Sequence, residues 1–267
     1  MLLVCATPIG NLEDVTLRVL AELREADVVL CEDTRHTRGL LERHGIRARL
    51  VSYHEHNEAK RTAEILPRLV AGERVALVSD AGMPGISDPG ARLVAAAREA
   101  GVDVTVLPGP CAVETALVAS GLVGERYQFV GFLPRAARAL AALWDGLGSY
   151  EHPTVAFESP QRLGAALRSL AAVDPAREVA VCRELTKRFE EVVRGSAAEL
   201  AERFADAPKG EITLVVAGAR GGDAADEDAA AAAVAELVAA GTPRRTAADV
   251  VAGLTGVARN ALYRRTL

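Results

Sequence analysis

The chain has 267 residues, half of them apolar, with 31 Lys and Arg against 36 Asp and Glu and a formal net charge of −5. That length holds one large α/β domain or two small ones, and so many apolar residues are ample for a buried core. The charge excludes a globally basic nucleic-acid binder, so a nucleic-acid partner would have to be met by local patches. No apolar stretch approaches the roughly 18 residues needed to cross a membrane.

Met1 to Ala6 reads directly as a strand, with no basic region and cleavage site before it, so no signal peptide is expected. Cys5, Cys31, Cys111 and Cys182 are scattered without a CxxC pair, which favours cytosolic thiols over disulfides or zinc and implies a cytoplasmic protein. The first 110 residues read as five repeats of strand, polar loop and helix, with strands at Leu2–Cys5, Asp27–Cys31, Arg49–Ser52, Val75–Val78 and Val102–Leu107. Helical patterns such as Leu17-Leu20-Leu23 and Ile65-Leu66-Leu69-Val70 lie between them. Such alternation predicts a parallel sheet with right-handed crossovers. Every strand is followed by an unusual loop: Thr7–Asn11, Glu32–Thr37, Tyr53–Glu58, Ser79–Gly90 and Pro108–Cys111. All five fall at carboxyl ends of strands, the edge where open α/β sheets bind ligands.

The fourth loop is the most distinctive. Gly82, Pro84, Gly85, Pro89 and Gly90 give it a fixed, non-repetitive shape. Asp88 is the expected N-cap of the next helix, with Pro89 in its first position. Asp80 and Asp88 occur with no basic residue between them, and no Lys follows as in a P-loop, so the loop suits a ligand carrying positive charge.

After the linker 111–121 the pattern changes. Strands are expected at Gln128–Phe132, Thr154–Phe157, Glu178–Cys182, Glu191–Arg194 and Ile212–Ala217, the third and fourth joined by a hairpin-like turn at Thr186–Phe189. This predicts a second α/β domain with a mixed sheet over 122–218, following the parallel-sheet domain of 1–110. An acidic linker, 219–228, then leads to a helical tail, 229–267, with helices at Ala229–Ala240, Thr246–Leu254 and Ala258–Arg265. A Gly-Leu-Thr-Gly turn between the last two suggests a helix-turn-helix.

Several segments together resemble the tetrapyrrole methylase superfamily, whose members bind S-adenosylmethionine (SAM) between two α/β domains. They are Thr7–Leu12, Glu32–Thr37, His54–Glu58, Ser79–Gly90, Pro108–Pro110, Glu158–Pro160, Arg183–Lys187 and Gly210–Thr213. Within it the chain is similar to the bacterial branch that 2′-O-methylates a cytidine in small-subunit ribosomal RNA, over residues 1–218 and more weakly in the tail. The resemblance implies a homodimer and a cofactor site at Pro8, Gly10, Asp80, Ala81, Gly82 and Met83 of the first domain. Cys111 and Ala112 of the linker and Phe157, Leu185 and Thr213 of the second sheet would complete it. Cys111 stands where the superfamily often has a serine.

A ribose hydroxyl must lose its proton to become a good nucleophile. Lys187 lies in the turn beside the expected cleft, and like charge from Arg183 and Arg188 would depress its pKa as a base requires; a solvated turn lysine or an RNA-phosphate contact is the other reading of it. His36 is the second candidate, with a hydrogen-bonding rim histidine as its alternative. His54 and His56 alternate on an expected extended segment and so point apart; no metal site is expected there, and substrate contact or dimer contact is the better reading, with Asn57 a further candidate for substrate contact. Arg35, Arg183 and Arg188 are candidate RNA contacts. Five arginines against Asp249 make 243–267 locally basic. With few aromatics for stacking, phosphate and shape recognition are expected to dominate. A small-molecule or tetrapyrrole methylase is the alternative within the superfamily, and a non-enzymatic nucleic-acid binder the alternative of another class.

Overall fold

Short apolar tetrads dictate the centre of the N-terminal sheet. Leu2–Cys5 (β1), Val28–Cys31 (β2) and Val75–Val78 (β4) are buried along their whole length, as strands covered by helices on both faces must be. With Leu50–Ser52 (β3) and Val104–Leu107 (β5) they form a parallel five-stranded sheet ordered β3-β2-β4-β1-β5. The computed structural model describes residues 1–219, 224–255, 257 and 259–266, except for the side chains of 224–227, 260 and 261. These divide into two compact units, one of Met1–Ala141 with Pro153–Ala217 and one of Ala142–His152 with Gly218 onward.

Helices α1 (Leu17–Glu25), α2 (Thr34–Arg43), α3 (Glu58–Val70) and α4 (Ala91–Glu99) link the strands. Of the apolar positions expected there, Leu20, Leu23, Ile65 and Leu69 are buried, and only the end positions Leu17 and Val70 are exposed. Val19 completes the buried face of α1. Helix α4 begins at Ala91, so Asp88 is not its cap and Pro89 is not its first residue. Gly90 caps it instead, at φ 143°, where an added Cβ would lie 2.9 Å from Leu77.

The second sheet is mixed. Its order is β6-β7-β10-β8-β9, from Gln128–Phe132 (β6), Thr154–Glu158 (β7), Glu178–Arg183 (β8), Glu191–Ser196 (β9) and Ile212–Val216 (β10). Strands β6 and β7 are parallel, and the remaining neighbours are antiparallel, including the β8–β9 hairpin. Helices α5 (Ala112–Ser120), α6 (Ala137–Leu147), α7 (Pro160–Val173) and α8 (Ala197–Arg203) accompany it, and α5 packs with β7, β8 and β10 in one apolar cluster.

Three helices follow: α9 (Ala224–Ala239), α10 (Arg244–Thr255) and α11 (Arg259–Arg265). Small side chains, among them Ala230, Val234, Ala247, Ala248, Val251 and Leu262, make their shared core. Two boundaries differ from expectation. Helix α9 starts inside the stretch read as an acidic linker, of which 220–223 lies outside the described residues. Helix α10 runs on through Gly253-Leu254-Thr255, because Thr255 Oγ1 bonds back to the Val251 carbonyl at 2.8 Å and receives the Val257 amide at 3.3 Å. The rest of the expected turn, Gly256, falls outside the described residues.

Candidate active site

The loops after β1 and β4 are neighbours because those strands pair at the middle of the first sheet. Thr7 and Gly82 lock them together: the Thr7 amide donates to the Gly82 carbonyl at 2.9 Å and the Gly82 amide to the Thr7 carbonyl at 3.1 Å. The Thr7 hydroxyl adds a bond to the Ser79 carbonyl at 3.0 Å. Against this pair stand the start of α5 and the carboxyl-end region of β7, β8 and the β10 entry, enclosing a cavity of about 390 Å³.

Eight of the eleven expected cofactor residues line it: Ala81, Gly82, Met83, Cys111, Ala112, Phe157, Leu185 and Thr213. Pro8, Gly10 and Asp80 do not. Asp80 Oδ1 instead accepts the Asp33 amide at 3.1 Å, beside the start of α2. Gly10 borders a second, shallower recess with Asn11, Arg43, Thr186, Lys187 and Arg188. Sequence reasoning missed Ile9, Phe129 and Phe132 on the wall. The two phenylalanines meet Phe157 edge-on, with ring centres 4.9 and 5.6 Å apart. Strict strand alternation would put Phe129 and Phe132 on opposite faces; the register shift between them in the β6–β7 pairing, with Gly131 at φ 68°, brings both to Phe157.

The electrostatics are acidic on one side and neutral on the other. Asp88 lines the cavity, and burial together with the charges of Glu32 and Asp80 pushes its carboxyl up to about 6, against a partial opposing pull from the Ser79 hydroxyl. Burial and Asp80 likewise raise Glu32. Across the cavity, Glu158 has a wholly buried side chain; its Oε1 accepts the Ser159 amide at 2.7 Å and pairs with Arg162 at 3.1 Å. Burial raises Glu158 while those two partners lower it. Its Oε2 has no hydrogen-bond partner among the described residues. Cys182 also lines the cavity, with its thiol pushed up to about 12 by burial.

The reasoning that gave Lys187 a depressed pKa is overturned. Lys187 Nζ lies 2.9 Å from Glu184 and 3.0 Å from Glu211. Burial opposes its charge, but the two carboxylates outweigh that and hold the ammonium above lysine's usual range. The hairpin that carries it is unusual, since Glu184 and Thr186 both have left-handed φ, at 51° and 64°. Neither Lys187 nor His36 borders the cavity, and His36 is exposed on the first turn of α2.

The expected substrate residues are scattered along the rim. Arg35 pairs with Asp33 at 3.1 Å and is largely exposed. Arg183 pairs with Glu191 at 3.0 Å and donates to the Lys209 carbonyl at 3.1 Å. Arg188 lies over the Phe189 ring at 5.6 Å. Asn57 accepts the His54 amide at 2.9 Å, which folds that segment into a turn. The turn corrects the expectation that His54 and His56 point apart: their rings meet edge-on at 5.9 Å. No group of three or more metal-ligating side chains occurs among the described residues.

Residues 1–201 match the family model described as Tetrapyrrole (Corrin/Porphyrin) Methylases, three quarters of the chain. The chain belongs to this family. It is 48% identical over 266 residues to "Ribosomal RNA small subunit methyltransferase I" of Mycobacterium tuberculosis, covering 98% of this chain and 93% of that protein. A protein of the same name from Thermotoga maritima is 45% identical over 218 residues, which are 81% of this chain but 98% of the relative. Among solved structures, uroporphyrin-III C-methyl transferase from Thermus thermophilus complexed with S-adenyl homocysteine has the same fold. It superimposes with a TM-score of 0.57 at 19% identity, over 80% of this chain and 96% of that one.

Proposed function

We propose that the protein transfers the methyl group of SAM to the ribose 2′-oxygen of a cytidine in small-subunit ribosomal RNA, acting in the cytoplasm as a homodimer. One observation carries the reading: an apolar, aromatic-walled cavity at the joined strand edges of a chain similar throughout its length to named ribosomal RNA methyltransferases. SAM supplies an activated methyl group on a positively charged sulfur. The residues fit such a ligand. A cavity of about 390 Å³ lies within the range of cofactor pockets, and its Asp88 side, flanked by Glu32 and Asp80, favours a cation.

The chain's own contribution is positioning, exclusion of water and handling of one proton. Ala81, Gly82 and Met83 on one side and Phe157, Leu185 and Thr213 on the other would hold the donor between the two sheets. Asp88 takes the hydroxyl proton in this reading. Its carboxylate faces the cavity, is not tied up as a helix cap, and is poised near 6, where an ionised form at neutral pH remains basic enough to accept a proton. Lys187, held as an ammonium at the neighbouring recess with Arg43 and Arg188, suits contact with phosphate instead.

Oxygen is favoured over a ring carbon as the acceptor because attack on a pyrimidine carbon calls for a thiolate. Burial raises Cys111 and Cys182, the two thiols on the cavity wall. Val106 of β5, Val118 of α5 and Val123 just after α5 are exposed, consistent with a partner subunit. The deciding experiment supplies small subunits from cells lacking the protein with labelled SAM. The methylated nucleotide is expected to resist alkaline hydrolysis at its 3′ linkage, whereas a methyl on the base, or none in the RNA, would refute the assignment.

A further inference from the structure

Two large apolar side chains stand at the opening of the cavity. Ile86 is 60% exposed and Phe132 61% exposed, yet both line it. They come from different sheets, Ile86 from the loop after β4 and Phe132 from the end of β6. The two segments are close neighbours, since a Cβ added to Gly131 would lie 3.9 Å from Ser87 Oγ. Each carries a left-handed residue beside its apolar side chain, Ser87 at φ 64° and Gly131 at φ 68°. For Ser87 that conformation is strained, and such strain clusters where a site requires it. Phe132 is steadied by Phe157, the two rings meeting edge-on with centres 5.6 Å apart. The rest of its surface is open to a further aromatic contact.

A cavity of about 390 Å³ holds a cofactor but admits no folded RNA. The nucleotide to be methylated must therefore enter from the opening, out of its stack, and an unstacked base seeks an aromatic or apolar face. Ile86 and Phe132 flank that path. Neither side chain carries a charge or a hydrogen-bonding group, which suits the face of a base and not a phosphate. Asp88 follows Ile86 by two residues and lines the cavity, so their backbone positions lie within about 7 Å, the scale of one nucleoside. We propose that Ile86 and Phe132 clasp the base of the target nucleotide, the ring stacked on the open face of Phe132 and its ribose reaching inward to Asp88. This rests on the methyl-transfer reading and adds a substrate contact to it. One stacking residue placed at the opening serves where aromatics are few.

The test uses protein saturated with S-adenosylhomocysteine and small subunits reconstituted with either cytidine or an abasic ribose at the methylated position. In filter binding, wild-type protein should favour the base-bearing subunits by about 5- to 150-fold, the range for one base stacked on an aromatic ring. Phe132→Ala should lose that preference and Phe132→Tyr should keep it, because the base needs an aromatic face. Ile86→Ala should reduce it in part. Calorimetric affinity for S-adenosylhomocysteine should change by no more than a few-fold in all three variants. A wild-type protein that binds both subunits alike overturns the proposal, as does a Phe132→Ala protein that keeps the preference. Loss of S-adenosylhomocysteine affinity with the base preference intact would give the two side chains to the adenine of the donor instead. Phe132 lies exposed on an edge strand, and should its variants still fail to fold, the wild-type comparison decides alone. Small subunits left unbound by wild-type protein would refute the methyl-transfer reading together with this one, whereas tight binding without a base preference would refute this one only.

Discussion

Asp80 and Asp88 belong to one loop and meet opposite surroundings. Asp80 is spent on the Asp33 amide, whereas Asp88 borders the cavity with its carboxyl pushed up to about 6 by burial and by Glu32 and Asp80. Asp80→Ala is therefore expected to disturb the start of α2 and to relax the upward push on Glu32 and Asp88, with only a secondary effect on SAM affinity. Asp88→Asn keeps the shape and removes the base: turnover should fall by about 10²–10⁴-fold while calorimetric SAM affinity stays within a few-fold. Wild-type turnover should rise with pH through about 6, the limb that Asp88→Asn lacks. The stability effect has the opposite sign. A carboxyl whose folded pKa is raised favours the folded state only while protonated, so its contribution is lost as pH climbs from the ordinary aspartate range through about 6. Asp88→Asn should accordingly melt higher than wild type at pH 8, with the gap closing by pH 4; an unchanged gap would place Asp88 in a more solvated setting.

At the scale of elements, the decisive contact joins the loop after β1 to the β8–β9 hairpin. The Asn11 amide donates to Thr186 Oγ1 at 3.0 Å, and a Cβ on Gly10 would lie 2.5 Å from Lys187 Cγ and 2.9 Å from the Leu185 carbonyl. The lysine stem can swing aside but the carbonyl belongs to the backbone. Gly10→Val should force the two elements apart, cost about 1–3 kcal/mol in a denaturant melt and weaken SAM binding, since Ile9 and Leu185 line the cavity on either side of that contact. Lys187→Ala should behave differently. Its pairs with Glu184 and Glu211 are partly solvated, so stability should drop by no more than about 1 kcal/mol. RNA affinity should fall with a salt slope reduced by about one, SAM affinity should hold, and the pH limb near 6 should survive. Loss of that limb in Lys187→Ala would return the proton-transfer role to the lysine.

For the whole molecule, the helical tail is less basic than its last residues suggest. Five arginines in 224–267 face five carboxylates, Asp226, Glu227, Asp228, Glu236 and Asp249. Arg259 pairs with Asp249 at 3.2 Å, and Arg265 pairs with Asp228. Residues 224–267 thus carry no net excess of charge, four of the five carboxylates lying in α9 and all five arginines in the later helices. Removing residues 224–267 is therefore expected to leave SAM affinity within about twofold and to weaken binding to small subunits by about tenfold or less at physiological salt. A steeper loss would mean that the tail carries more of the phosphate contact than its neutral balance allows.

Local chemistry was enough to determine the strands and their order of use. Tetrads such as Val75–Val78 cannot be anything but doubly covered strands in so regular an alternation, and the glycine and proline spacing of Ser79–Gly90 marks its loop without reference to the rest of the chain. The eight cavity residues expected for the cofactor were implied by the family resemblance rather than by local chemistry. What each ionisable side chain does was decided only by the tertiary structure. Asp80 or Asp88 at the cavity, Lys187 with its charge reinforced or weakened, and His54 beside or apart from His56 all depend on partners far away in the chain or on a turn that brings near ones round. A pKa is set by burial and by charges a few ångströms distant, and sequence spacing carries neither. The aromatic wall follows the same logic, since Phe129 and Phe132 reach Phe157 only when β6 pairs with β7.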